Sequence, residues 1–168
     1  MLQLVLGGAR SGKSRFAENQ ATASGLEVIY IATAQALDGE MRERIQHHID
    51  SRPPWPTVEE PIALARALVS ADGVGRFLLV DCLTLWLTNL LLAEDAVFER
   101  EVAALMRVLP QLQAQVVLVS NEVGLGVIPM GELSRRYVDE AGRLNQRIAE
   151  LADRVTFCAA GLPLTLKG

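Results

Sequence analysis

Short, continuous apolar runs recur along the chain at Leu2–Leu6, Val28–Ala32, Phe77–Val80, Val116–Val119 and Val155–Cys158. None alternates with polar residues, so each predicts a strand covered on both faces. Between them lie segments of helical composition, 61–71 and 96–109, and a long one, 132–152. The last places Leu133, Tyr137, Ala141, Leu144, Ile148 and Leu151 at spacings of three and four, the stripe of an amphipathic helix. Strands alternating with helices predict an α/β domain with a parallel sheet and right-handed crossovers. We count five core strands and no internal repeat. The 168 residues predict one domain, 1–168, with little room for a second.

In such a sheet, ligands collect beyond the carboxyl ends of strands, so the residues following each run carry most information. After the first run comes Gly7-Gly8-Ala9-Arg10-Ser11-Gly12-Lys13-Ser14, which fills every fixed position of G-x-x-x-x-G-K-[ST]. A helix-like stretch, Arg15–Ala21, follows directly, and that strand–loop–helix context is what the phosphate-binding loop requires. Its glycines let backbone N–H groups turn inward around phosphate oxygens, and the helix amino end adds partial positive charge. Lys13 is expected on the β/γ-phosphates and the Ser14 hydroxyl on Mg²⁺. Lys13 and Lys167 are the only lysines among 16 basic residues. An arginine-biased chain thus places a slim point charge, not a planar fork, at this position.

Asp81 closes the third run. An acidic residue there suits Mg²⁺ binding beside a P-loop, and equally suits a helix N-cap for the segment from Leu83. Thr33-Ala34-Gln35, after the second run, is small and polar, fit for lining a phosphate or ribose site or for an ordinary strand-to-helix turn. The fourth run ends in Ser120-Asn121-Glu122-Val123-Gly124. A guanine-reading Asn-Lys-x-Asp is absent from that place, which disfavours a switch-type GTPase. Pro53, Pro54 and Pro56 forbid a helix and predict an extended loop.

Composition narrows the classes. Half the residues are apolar and 21% charged, which excludes disorder as the main state. A net charge of −4 argues against nucleic-acid binding. No apolar run approaches about 18 residues, so no membrane insertion is expected. The chain enters its first strand without a charged leader or cleavage site, and a cytoplasmic location is expected. Cys82 and Cys158 are isolated and make no zinc pattern; a disulfide between them is possible but unneeded.

The two histidines, His47 and His48, fall in a helix-like stretch from Gly39 to Asp50. Met41, Ile45 and Ile49 mark its apolar stripe, and His48 falls on it. His47 lies roughly 120–150° away beside Glu40 and Glu43, with an accessible imidazole. Such an imidazole near a nucleotide is a candidate nucleophile toward phosphorus.

Together these pieces resemble the bifunctional adenosylcobinamide kinase / adenosylcobinamide-phosphate guanylyltransferase family of cobalamin biosynthesis. The resemblance rests on the P-loop, Tyr30-Ile31-Ala32-Thr33-Ala34, Glu40-Met41 through Arg44-Ile45-Gln46-His47-His48, and Arg52-Pro53. It continues through Asp81-Cys82-Leu83-Thr84 with Thr88-Asn89, Ser120–Gly124, and Gly142-Arg143-Leu144-Asn145-Gln146. It implies a RecA-like P-loop NTPase domain of three layers with a mainly parallel sheet, assembled as a homotrimer. It also implies phosphorylation of adenosylcobinamide by GTP or ATP, then transfer of GMP from GTP to that phosphate. His47 matches the family's guanylyl-carrying histidine. Nucleotide contacts carry over to Thr33, Ala34 and Gln35 and to Asp50, Ser51, Arg52 and Pro53. A further glutamate contact matches Glu59 or Glu60, and Ser14 with Asp81 would hold Mg²⁺.

Overall fold

A computed structural model describes residues 1–35 and 53–168. Its strands are β1 (Leu2–Gly7), β2 (Glu27–Ala32), β3 (Thr57–Glu59), β4 (Arg76–Asp81), β5 (Gln115–Asn121), β6 (Arg154–Ala159) and β7 (Leu162–Lys167). The helices are α1 (Lys13–Ala23), α2 (Leu64–Ala71), α3 (Leu83–Leu91), α4 (Asp95–Val108) and α5 (Glu132–Leu151). All seven strands join one sheet in the order β3-β2-β4-β5-β1-β6-β7. Every pair is parallel except the β6–β7 hairpin.

The five expected strands are present, and two more flank them. β3 has only three residues, all exposed, at the end of the proline loop, so no apolar run announces it. It forms because the extended backbone imposed by Pro53, Pro54 and Pro56 runs into register with Tyr30–Ala32 of β2. β7 alternates leucine with proline, threonine and lysine and is exposed throughout. Its Pro163 is tolerated at the sheet edge, where the missing N–H breaks no ladder. Ala160 and Gly161 connect it to β6 with φ of 52° and 78°, the two positive values that a tight two-residue hairpin needs.

Alternate strand residues serve opposite faces. Leu2, Leu4, Leu6, Ile29, Ile31, Leu78, Val80, Val116 and Leu118 pack against α2–α5, where Leu68, Trp86, Leu87, Leu105 and Ile148 are fully buried or nearly so. Val5, Val28, Phe77, Leu79, Val117 and Val119 form the second cluster with Ala17 and Ala21 of α1. Helices on both faces make three layers, and they explain why the strands lack polar alternation. Trp86 is completely buried and still satisfied, because its indole N–H donates to the Ile62 carbonyl at 2.8 Å. Among the described residues, no helix is long and apolar enough to cross a membrane.

Candidate functional site

The P-loop leaves β1 at Gly7 and enters α1 at Lys13. A Cβ on Gly7 would fall 2.6 Å from the Cys158 carbonyl oxygen, so only glycine fits where the loop leaves the sheet. Gly12 caps α1 in the left-handed region at φ 90°. Arg10 is also left-handed, at φ 55°, and for a non-glycine residue that costs about 1–2 kcal/mol. No side chain caps α1 and its first turn holds no acidic residue, so its amino end keeps free N–H donors and uncompensated positive potential. The Lys13 ammonium folds over the loop and donates to the Gly8 carbonyl at 3.1 Å.

β5 separates β1 from β4, so Asp81 stands two strands from the P-loop at the same carboxyl edge. Asp81 is the last residue of β4. Cys82, in extended conformation, occupies the position before α3, so the capping alternative for Asp81 does not hold. The Asp81–Cys82 peptide is cis. The Thr33 hydroxyl brackets Cys82, donating to its carbonyl at 2.6 Å and accepting from its N–H at 3.1 Å. Thr33 is wholly buried, so its hydroxyl is spent on tying the end of β2 to the end of β4. Ala34 and Gln35 emerge toward solvent beyond it. Asn89, reaching from α3, donates to the carbonyls of Thr33 at 2.9 Å and Pro61 at 3.0 Å, fixing the same edge.

Among the described residues, no group of three or more His, Cys, Asp or Glu side chains surrounds a common point. Among the described residues, Ser14 and Asp81 would thus suit a metal that takes further ligands from water and phosphate, which is how Mg²⁺ is usually held. Neither cysteine is a nucleophile in waiting, and neither is in a disulfide. Burial and then the neighbouring Asp81 charge push the Cys82 thiol up to about 11. Burial also raises Cys158, although Lys13 pulls it the other way.

The two candidate glutamates separate. Glu60 accepts from the N–H groups of Ile62 (3.0 Å) and Ala63 (2.8 Å) ahead of α2 and pairs with Arg66 at 3.3 Å. Burial alone would raise its pKa, but those N–H donors and Arg66 outweigh it and leave it below the usual carboxylate value. Glu59 stands exposed on β3 opposite Ala32, one residue short of Thr33. Pro53 is exposed at the start of the proline loop. His47, His48, Asp50, Ser51 and Arg52 lie outside the described residues.

Beyond β5, Leu125, Val127, Ile128 and Met130 are exposed. A groove of about 430 Å³ between α3 and α5 is lined by residues including Leu91, Leu92, Val123, Pro129, Leu133 and Tyr137. The sequence singled out neither this groove nor the roles of Asn89 and Glu60. A hydrogen bond to a distant carbonyl, or to N–H groups two and three residues ahead at a helix start, leaves no periodic trace.

Three comparisons bear on this site. A family model described as cobinamide kinase / cobinamide phosphate guanyltransferase matches residues 3–166. The chain is 62% identical over 170 residues to the bifunctional adenosylcobalamin biosynthesis protein CobP of Pseudomonas aeruginosa, covering 100% of this chain and 98% of that one. It is 41% identical to the bifunctional adenosylcobalamin biosynthesis protein CobU of Salmonella typhimurium, over 99% of this chain and all of that one. Among solved structures, the flagellar accessory protein FlaH of Methanocaldococcus jannaschii aligns with a TM-score of 0.56 at 12% identity, covering 99% of this chain and 77% of that one. The RadB recombinase aligns at 0.52 and 14%, covering 93% and 73%. At such identities these two speak for the fold alone, a P-loop NTPase architecture.

Proposed function

The chain belongs to the cobinamide kinase / cobinamide phosphate guanyltransferase family and is an enzyme of cobalamin biosynthesis. On that premise we propose that it phosphorylates adenosylcobinamide with GTP or ATP, then transfers GMP from GTP to the product through a guanylyl group carried on His47. The observation that carries the reading is the P-loop itself. Its open helix end and Lys13 form a triphosphate cradle at the sheet edge that also holds Asp81.

In the kinase step, backbone N–H groups of residues 8–14 and Lys13 bind the triphosphate and offset charge on the departing diphosphate. Mg²⁺ held by Ser14 and Asp81 would supply further charge neutralisation when bound. In the second reaction an imidazole nitrogen of His47 attacks the α-phosphorus and pyrophosphate leaves. The substrate phosphate then displaces the guanylyl group, breaking the P–N bond and restoring the imidazole. The same cradle serves both because each leaving group is a phosphate anion held beside Lys13. Glu59, Ala34, Gln35 and the stretch Asp50–Pro53 are our candidates for the base and ribose. Glu60 is set aside for α2.

We also propose a cytoplasmic homotrimer. The exposed apolar residues Leu125–Met130 and the fully exposed β7 support subunit contacts, and sedimentation equilibrium at three times the monomer mass is the expected result.

GTP labelled at the α-phosphate tests the core of the reading. The wild-type chain is expected to form an acid-labile, base-stable protein adduct that is absent in His47→Ala. Absence of the adduct, or its survival in His47→Ala, would refute the histidine route.

A further inference from the structure

Among the described residues, the buried side-chain atoms without a hydrogen-bond partner are Ser11 Oγ, Gln20 Oε1, Asn121 Oδ1 and Asn145 Oδ1. Asn121 alone among them ends a strand between the P-loop strand and the Asp81 strand. It lies opposite Gly7 in the β1–β5 register, while Val119, two residues earlier, lies opposite Asp81 of β4. Its backbone is pinned on both sides. The Asn121 N–H donates to the Thr84 hydroxyl at 2.8 Å, and the following N–H, of Glu122, donates to the Gly7 carbonyl at 3.0 Å. The main chain is thus held rigidly against the P-loop while the carboxamide oxygen goes unsatisfied.

A buried acceptor left unpaired works against folding, so its retention at a catalytic edge points to a partner that arrives with the substrate. A carboxamide suits a phosphate neighbour because it offers both an acceptor and donors and carries no charge. We propose that Asn121 is a catalytic residue of the kinase step. The residue is only half-buried, so with substrates bound its carboxamide turns out from the place where Oδ1 lies unpaired. Oδ1 then accepts a hydrogen bond from the hydroxyl that attacks the terminal phosphate, and Nδ2 donates to an oxygen of that phosphate. The bond formed joins hydroxyl oxygen to γ-phosphorus, and the bond broken joins γ-phosphorus to the β,γ-bridging oxygen. The hydroxyl proton leaves to solvent and the carboxamide keeps its own protons. Guanylyl transfer takes place at the α-phosphorus and makes no use of these contacts. This inference rests on the kinase activity proposed above.

The test compares the full-length wild type with Asn121→Ala and the near-isosteric Asn121→Asp. Kinase turnover of adenosylcobinamide, guanylyl transfer to adenosylcobinamide phosphate, binding of a non-hydrolysable GTP analogue and the melting temperature are measured on each. Kinase kcat is expected to fall roughly 10²–10³-fold in both variants, further in Asn121→Asp because its carboxylate repels phosphate. For Asn121→Ala the kcat of guanylyl transfer should stay within about threefold and the melting temperature should not fall, while analogue binding weakens by no more than about tenfold, the loss of one donor to the terminal phosphate. A kinase left intact by Asn121→Ala overturns the inference. So does a parallel loss of both activities with a lowered melting temperature, which is the mark of a purely structural residue. A wild-type chain that lacks kinase activity overturns the functional reading, and this inference with it.

Discussion

The Gly161 N–H donates to the Ser11 carbonyl at 2.9 Å, and a Cβ on Gly12 would come within 3.0 Å of the Gly161 Cα. The turn of the β6–β7 hairpin is therefore the floor of the phosphate loop. Two glycines from opposite ends of the chain meet there, and their substitutions should differ. Gly12→Ala combines the close approach with φ 90°, so the loop must deform, and triphosphate affinity should fall at least about tenfold. Gly161→Ala has open space around its Cβ and meets only the cost of φ 78°, about 1–2 kcal/mol of stability with a smaller loss of affinity. Fluorescent-nucleotide titration and urea unfolding of both variants check this ordering.

Lys13→Ala should lower both activities by at least about a hundredfold, because one ammonium serves two leaving groups. Lys13→Arg should not restore them, since a planar fork does not fit where the ammonium now lies 3.1 Å from the Gly8 carbonyl. Steady-state assays of each half-reaction decide it. A kinase step that survives Lys13→Ala would contradict the assignment of the loop.

Thr33→Val keeps the shape of the side chain but strips both hydrogen bonds from the buried Cys82 peptide groups. Stability should drop by about 1–3 kcal/mol. Metal-dependent turnover should fall with it, since Asp81 is the preceding residue. Thr33→Ser, which retains the hydroxyl, should recover most of both in urea melts and in Mg²⁺ titrations of activity.

Glu59→Ala and Glu60→Ala should separate cleanly. The first is expected to weaken guanine-nucleotide binding with little change in unfolding. The second should cost about 0.5–2 kcal/mol of stability through the lost contacts at the start of α2. The folded-state pKa of Glu60 lies below its ordinary value of 4.5, so its contribution is complete above that value and fades as pH falls through the lower one. Glu60→Gln should therefore unfold with a shallower pH dependence on the acid side than the wild type. Equal slopes would mean that another carboxylate carries the acid sensitivity.

The central strands and α5 were legible because burial on two faces or on one stripe writes itself into residue order. Leu2–Leu6 and the spacing from Leu133 to Leu151 are examples. The P-loop was legible because a phosphate cradle admits few residue types at fixed offsets. β3 and β7 were missed because edge strands bury little, and an exposed strand is free to take polar residues or proline. Thr33 read equally as a site residue and as part of an ordinary turn, because small polar residues suit both a phosphate and a buried peptide. Only the tertiary position of Cys82 separates those uses. The contacts of Glu60 likewise depend on where α2 begins, which is Leu64 and not the residue 61 that the composition suggested.

β1 is the first strand of the chain, yet its neighbours in the sheet are β5 and β6, and the turn under its loop is Ala160-Gly161. During synthesis the phosphate-binding segment is thus translated before the strands and turn that shape it. A nascent chain carries the complete motif before β5 and β6 are made, and is expected to gain its affinity for nucleotide only once the β6–β7 hairpin has emerged and closed beneath it. Ribosome-bound chains of increasing length should stay nucleotide-blind until that hairpin clears the exit tunnel.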